Sequence, residues 1–168
     1  MQVVPITERI YLEPKHLTSN IRSCLENKIK QRKGTCSKSL GYIIDTEDIL
    51  SIHDNTILRS SPYVVFTITY QAKIFKPTIG DVYKSKVEEI LPSRIRCKYE
   101  LVNIMVPSIY LKNLTYNSDS KSFIGKDKAN SVKLNDTVNI RIERIKYSSG
   151  SSESRDPSGA YLCIGKLV

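Results

Sequence analysis

Residues 62–82 read PYVVFTITYQAKIFKPTIGDV, and their reading decides the fold. Val64, Phe66, Ile68, Tyr70, Ala72 and Ile74 share one parity; Thr67, Thr69, Gln71 and Lys73 share the other. A period of two with one apolar and one polar side predicts a long strand with a buried and a wet face. Pro77 has no N–H to give to a sheet ladder, so it ends the strand. Gly80-Asp81-Val82 then opens a new segment. The stretch is expected to close one domain and to lead straight into the first strand of another.

Upstream lie the other elements of the first domain. Residues 7–13 (TERIYLE) read as a short strand with Ile10 and Leu12 on one face, ended by Pro14. Leu17, Ile21, Leu25 and Ile29, widened by Cys24, form an apolar stripe at helical spacing and predict a helix over 16–33. Thr18, Ser19 and Asn20 are its N-cap candidates, and Gly34 is a natural left-handed stop. The basic run 28–33 is expected to be a solvated face that compensates the helix dipole. Residues 42–45 and 49–52 are short strand candidates split by the acidic turn Asp45-Thr46-Glu47-Asp48, and His53-Asp54-Asn55 is turn chemistry. One helix over a small antiparallel sheet is the simplest way to bury one helical stripe and one sheet face.

Downstream the chain is nearly all strand. Residues 81–91 form the first, and the strictly alternating Arg94-Ile95-Arg96-Cys97-Lys98-Tyr99 the second. Residues 102–106, 136–145 and 160–168 complete five strands, with a long polar loop expected over 115–133 and a flexible hairpin loop over 148–159. Five strands with an excursion between the third and fourth fit a Greek-key barrel of the OB type. The expected class is therefore α+β, with domains 1–78 and 79–168.

Bulk properties narrow the function. The chain has 168 residues, and its net charge of +9 with a pI near 9.4 favours an anionic partner, nucleic acid first. Cys24, Cys36, Cys97 and Cys163 are scattered without a C-x-x-C pair, so free buried thiols are expected rather than a zinc site. Charge and proline come too early in MQVVPITERI for a secretory signal, and no apolar run has the length of a membrane span, so an intracellular protein without membrane contact is expected. No catalytic constellation, metal spacing or cofactor motif is found, and no cofactor is expected. His53 has no nucleophile or carboxylate set around it and reads as a surface residue.

One constellation stands out. Arg94, Arg96 and Lys98 line the outer face of a single strand, where like charges repel and an anion would relieve them. Lys84 and Lys86 share that parity on the preceding strand, and Arg141 lies on the fourth. In an OB barrel the second and third strands form the usual face for single-stranded nucleic acid, so these six are the candidate RNA-binding residues. A merely solvated barrel wall is the alternative. Tyr83 and Tyr110 are the candidate stacking aromatics, Tyr83 with inward parity.

The order of elements and several strings resemble one family over nearly the whole chain. They are Ile10-Tyr11-Leu12-Glu13-Pro14, Gly34-Thr35-Cys36-Ser37 with Gly41-Tyr42-Ile43-Ile44, the junction Tyr70-Gln71-Ala72-Lys73-Ile74-Phe75-Lys76-Pro77 with Gly80-Asp81-Val82, and Ile164-Gly165-Lys166-Leu167. They resemble the stalk subunit of multisubunit RNA polymerases: the polymerase II seventh subunit, the archaeal E subunit and their viral counterparts. The resemblance implies an N-terminal tip domain of ribonucleoprotein-like shape and a C-terminal S1/OB domain. It also implies that the tip docks on polymerase core subunits near the RNA exit and supports initiation, that the barrel meets nascent RNA, and that a small helical partner subunit often sits beside it. By match to the tip, the loops with Lys38, Ser39 and Leu40 and with Ile57, Leu58 and Arg59 are the core-docking candidates. Where the family's S1 domain carries a Gly-x-Phe pair, this chain has Arg94 and Arg96, and Glu100 stands where a glycine normally follows that strand. Phosphate attraction rather than base stacking is then the expected mode. The lean to Lys, Ile, Asn and Ser suggests an AT-rich genome, with a large DNA virus as one source; the location would be a nucleus in a cell, or a viral factory or virion. A free-standing S1/OB factor of translation or RNA decay, and a structural adaptor that never touches RNA, are the other readings.

Overall fold

The computed structural model describes residues 1–17, 20–126, 130–150 and 159–168. The chain divides into two compact units, Met1–Lys76 and Pro77–Val168. The first runs β1 (Gln2–Leu12), a 3-10 turn (Pro14–His16), α1 (Ile21–Lys30), β2 (Cys36–Ser37), β3 (Gly41–Ile57) and β4 (Val64–Phe75). The sheet is antiparallel in the order β1-β4-β3-β2. β4 therefore has a neighbour on each side along its length. Its alternation is the one the sequence predicts, with Phe66, Ile68, Tyr70 and Ala72 buried and Thr67, Thr69 and Gln71 half-buried on the other face. The parity slips at the end, where Phe75 rather than Ile74 is buried.

The helix lays Leu25 and Ile29 on that apolar face, in one core with Ile6, Ile10, Leu12, Phe66, Ile68 and Tyr70. Each such fully buried side chain contributes about 1.5–3 kcal/mol. The helix is shorter than its stripe predicts, 21–30 rather than 16–33. Pro14 instead starts a separate 3-10 turn, Leu17 stays 38% exposed, and Asn20 takes the N-cap position. Thr18 and Ser19, the other cap candidates, lie outside the described residues. Beyond the helix Gly34 adopts φ +85° and donates its N–H to Ile43 O at 2.8 Å, which turns the chain back to the sheet.

Arg32 does more than offset a dipole. Its guanidinium meets Glu8 on β1 (Nη2 to Oε2 2.9 Å, Nε to Oε1 3.3 Å), and the Tyr70 hydroxyl donates to the same carboxylate at 2.8 Å. Burial first, and the Glu8 bond second, push the Tyr70 phenol well above its ordinary pKa. The network ties the end of α1 to β1 and β4.

Three sequence expectations fail here, each for a physical reason. β1 begins at Gln2, not Thr7, because it pairs with β4 over its whole length, from Gln2 opposite Ile74 to Leu12 opposite Val64. No acidic turn splits residues 42–52, and residues 53–55 form no turn; β3 is one strand whose register slips at Ile43/Asp45, Thr46/Ile49, Ile49/Ser51 and His53/Asn55. Bulges absorb the surplus of a 17-residue strand lying against a 12-residue one, so turn-forming residues serve as bulge residues.

The second unit runs β5 (Val82–Leu91), β6 (Arg94–Tyr99), β7 (Val102–Pro107), β8 (Leu114–Asn117), β9 (Ser122–Gly125), β10 (Ser131–Val132), β11 (Thr137–Ser148) and β12 (Ala160–Leu167). Five of these close a barrel in the order β11-β12-β7-β6-β5, with β11 returning to β5 and only β12–β7 parallel. This is S1/OB-like architecture, and the fold as a whole is α+β. Val87, Ile95, Cys97, Ile104, Val106, Ile140, Ile142 and Cys163 fill the interior. Gly165 lets β12 close on β11, since a Cβ there would lie 2.2 Å from Ile140 Cγ2.

The long loop expected over 115–133 is instead a small antiparallel sheet, β10-β9-β8. Phe123 and Val132 are buried in it, and the Tyr116 ring meets Phe123 edge-on at 5.5 Å. Its strands are four, four and two residues long, too short for any period to show between Asn, Ser and Lys residues. Of the expected hairpin loop 148–159, residues 151–158 lie outside the described residues. No helix among the described residues is long and apolar enough to cross a membrane.

Candidate nucleic-acid interface

Strand alternation on a closed barrel sends every second side chain outward. Lys84 and Lys86 on β5, Arg94, Arg96 and Lys98 on β6, and Arg141 on β11 are all exposed on the wall. Lys86 lies directly opposite Lys98, Arg96 opposite Glu89, and Arg94 opposite Pro107.

A bulge between Val87 and Glu89 changes the electrostatics of this wall. Strict alternation would send only one of Glu88 and Glu89 outward. The slip brings both to the β6 side, where Glu89 Oε2 lies 3.6 Å from Arg96 Nε and Glu88 Oε1 lies 4.0 Å from Lys98 Nζ. Arg94 Nη1 reaches Met105 Sδ at 3.9 Å. Pairs this exposed contribute about 0–1 kcal/mol to stability, yet they lower the local potential. Lys84, Lys86 and Arg141 have no such carboxylate among the described residues. The wall is therefore uneven: Arg96 and Lys98 on β6 are screened, while Arg94 at the start of β6 and the cations of β5 and β11 are not.

Lys166 on β12 belongs to the bare part, exposed and directly opposite Arg141. Sequence reasoning missed it. Its outward parity with Leu162 is readable, but its place opposite Arg141 depends on the register of the β11–β12 pair, which a bulge at Ile142/Arg144 shifts and the sequence does not show.

The candidate aromatics are otherwise engaged. Tyr83 has inward parity, stacks on Tyr99 at 4.8 Å and 21°, donates its hydroxyl to Asp81 Oδ2 at 3.0 Å and accepts the Thr78 N–H at 3.4 Å. Burial above all pushes its phenol up to about 12. Tyr110 is half-buried in the 3-10 turn Ser108–Tyr110. The place of Arg94 and Arg96, where a Gly-x-Phe pair would sit, holds no ring. Glu100 adopts φ +51°, so the position where the resemblance expects glycine has a glycine-like backbone with a side chain on it.

The two loops expected to dock lie at opposite ends of β3. Lys38 and Ser39 are exposed and Leu40 packs on the core in the turn that enters β3; Ile57 (76% exposed) is its last residue, and Leu58 and Arg59 follow. Twelve residues of β4 separate the two ends, roughly 35–40 Å. The first loop is held by Lys76 Nζ, which donates to Ser39 O at 3.3 Å, and by Gly41 at φ +86°, whose Cβ would lie 2.5 Å from Phe75 O.

Three of the four thiols are poor nucleophiles. Cys36, Cys97 and Cys163 are buried; desolvation pushes Cys97 up to about 12 and the other two up to about 11. Among the described residues no group of three or more His, Cys, Asp or Glu side chains is placed to hold a metal.

A helix-covered antiparallel sheet followed by a closed five-stranded barrel with a cationic wall defines an α+β protein of the S1/OB class. No family model matches the chain. It is 25% identical over 138 residues to DNA-directed RNA polymerase II subunit rpb7 of Dictyostelium discoideum, covering 80% of each chain. It is 26% identical over 168 residues to DNA-directed RNA polymerase II subunit 7 of Arabidopsis thaliana, covering 98% of this chain and 90% of that one. To subunit RPB7 of Glycine max it is 27% identical over 85 residues, half of this chain and 48% of that protein. The chain is thus similar, over both of its units, to seventh subunits of RNA polymerase II.

Proposed function

We propose that the chain is a non-catalytic stalk subunit of a DNA-dependent RNA polymerase. The observation that carries this is the alignment with a polymerase II subunit 7 over 98% of the chain, spanning both units. The first unit docks on the polymerase core near the RNA exit and supports initiation, with Lys38, Ser39 and Leu40 and Ile57, Leu58 and Arg59, at the two ends of β3, as the candidate contacts. The barrel contacts nascent RNA through phosphate attraction at its cationic wall, where Lys84, Lys86 and Arg141 of the six sequence candidates stand unscreened while Arg96 and Lys98 lie beside Glu89 and Glu88. A small helical subunit is the expected stalk partner, and in a cell the assembly is nuclear.

A tagged copy of the full chain, recovered from its native cell and analysed by mass spectrometry, should bring down polymerase core subunits in near-equal amounts. Recovery with ribosomal or RNA-decay proteins instead would replace this reading with a free-standing S1/OB factor. A second reading, an adaptor that never touches RNA, draws its support from Glu88 and Glu89 beside Lys98 and Arg96. Ultraviolet crosslinking to the transcript separates the two.

A further inference from the structure

We infer that single-stranded RNA crosses the barrel over β5, β11 and β12, held at its phosphates by Lys84, Lys86, Arg141 and Lys166, and not along β6. This rests on the proposed contact with RNA and assigns it a path.

The register makes the four cations one group. Arg141 lies opposite Lys166 on β12 and opposite Val82 on β5. Lys84 lies opposite Asn139, which makes Lys84 the diagonal neighbour of Arg141, about 7–8 Å away. Lys86 follows two residues along β5, opposite Thr137. All four are exposed, and among the described residues none has an ion-pair partner. Two like charges directly opposite, as Arg141 and Lys166 are, destabilise a sheet pair unless an anion lies between them.

Among the described residues no carboxylate is paired with Arg141 or Lys166. Thr137 and Asn139, the exposed residues between the cations, are neutral hydrogen-bonding groups. The flanking carboxylates are committed elsewhere: Asp81 accepts the Tyr83 hydroxyl at 3.0 Å, Asp136 Oδ2 accepts the Lys133 N–H at 2.8 Å, and Glu88, two residues along β5 from Lys86, faces Lys98 at 4.0 Å. Glu143, the next exposed acid along β11, sits at a bulge beside exposed Arg144.

Shape and ring placement name the ligand class. Three adjacent strands of a closed five-stranded barrel curve strongly, and a flexible single strand can follow them where a stiff duplex cannot. Tyr83, the one aromatic on this part of β5, faces inward onto Tyr99. The path therefore reads phosphates and not bases, and binding is independent of sequence.

The test is a salt titration of the full chain with a fluorescent oligouridylate, read by anisotropy. For Lys84→Gln/Arg141→Gln/Lys166→Gln the slope of log K against log salt should fall by about 2, from about 0.7 per lost phosphate contact, with at least a tenfold loss at low salt. Arg94→Gln/Arg96→Gln should change the slope by less than about half a unit. Lys84→Arg/Lys166→Arg should keep the original slope, which holds the inference to account even if the triple variant misfolds. A larger loss in the β6 variant, or equal binding of duplex RNA or polyglutamate of the same charge, overturns the path. No RNA binding by the unaltered chain at low salt overturns both the path and the proposed RNA contact, while recovery with polymerase subunits stands or falls separately.

Discussion

β6 and the β5–β11–β12 wall carry cations in the same alternating pattern, yet they differ in what lies beside them. Arg96 and Lys98 on β6 have Glu89 and Glu88 within 4.0 Å, while Lys84, Lys86, Arg141 and Lys166 have no carboxylate partner among the described residues. The cause is one inserted residue. The bulge at Val87/Glu89 brings two consecutive glutamates to the β6 side, which strict alternation cannot do. A row of cations is thus no measure of an anion site until its neighbours across the strands are known.

Transplanting the acids should break the contrast. Thr137 and Asn139 are exposed and lie opposite Lys86 and Lys84. Thr137→Glu/Asn139→Glu puts a carboxylate beside each lysine and is expected to weaken single-stranded RNA binding roughly tenfold at low salt, with the loss fading as salt rises. Anisotropy at two salt concentrations checks it, and an unchanged affinity would mean that the bare wall is not the site.

Glu100 sharpens the β6 side through stability. Its φ of +51° costs a non-glycine residue about 1 kcal/mol. Glu100→Gly should stabilise the chain by about that amount in urea unfolding, and no gain would show the turn to be unstrained.

Glu88→Gln/Glu89→Gln removes the screen from Lys98 and Arg96. RNA affinity should rise about threefold at low salt, less than the transplanted acids take away, because the pairs are long and half-exposed. A gain larger than tenfold would make β6 the main path. Lys33–Asp45, at 3.2 Å and exposed on both sides, is the control for what such a pair contributes. The hydrogen bond from Lys33 holds the Asp45 carboxyl below the usual carboxylate range. A carboxylate lowered in the folded state stabilises fully above its unfolded pKa of about 4, and this is lost as pH falls through the lowered value. Asp45→Asn should slightly narrow the difference in melting temperature between neutral and acid pH.

Much of this was legible in the sequence. The alternation of 64–73 and 94–99, and the Leu25/Ile29 stripe, depend on neighbours two to four residues away, and each became the expected element. The Greek-key barrel followed from strand number and the position of the excursion. What stayed hidden depends on a partner strand. Bulges in β3 arise because β4 is shorter, so Asp45 and Asn55 read as turns when taken alone. The small sheet of residues 114–132 is held by Phe123 and Val132 from strands too short for a period. The candidate site was legible as a set of cations, but which of them are screened depends on the bulge that turns Glu88 and Glu89 to β6 and on the β11–β12 register that sets Arg141 opposite Lys166.

The most direct test is ultraviolet crosslinking of nascent transcript in the assembled polymerase, followed by mapping of the crosslinked peptides on this chain. The account predicts crosslinks in β5 around Lys84 and Lys86 and in the β11–β12 seam around Arg141 and Lys166. Crosslinks confined to β6, or none on the barrel in a polymerase that contains the chain, would contradict it.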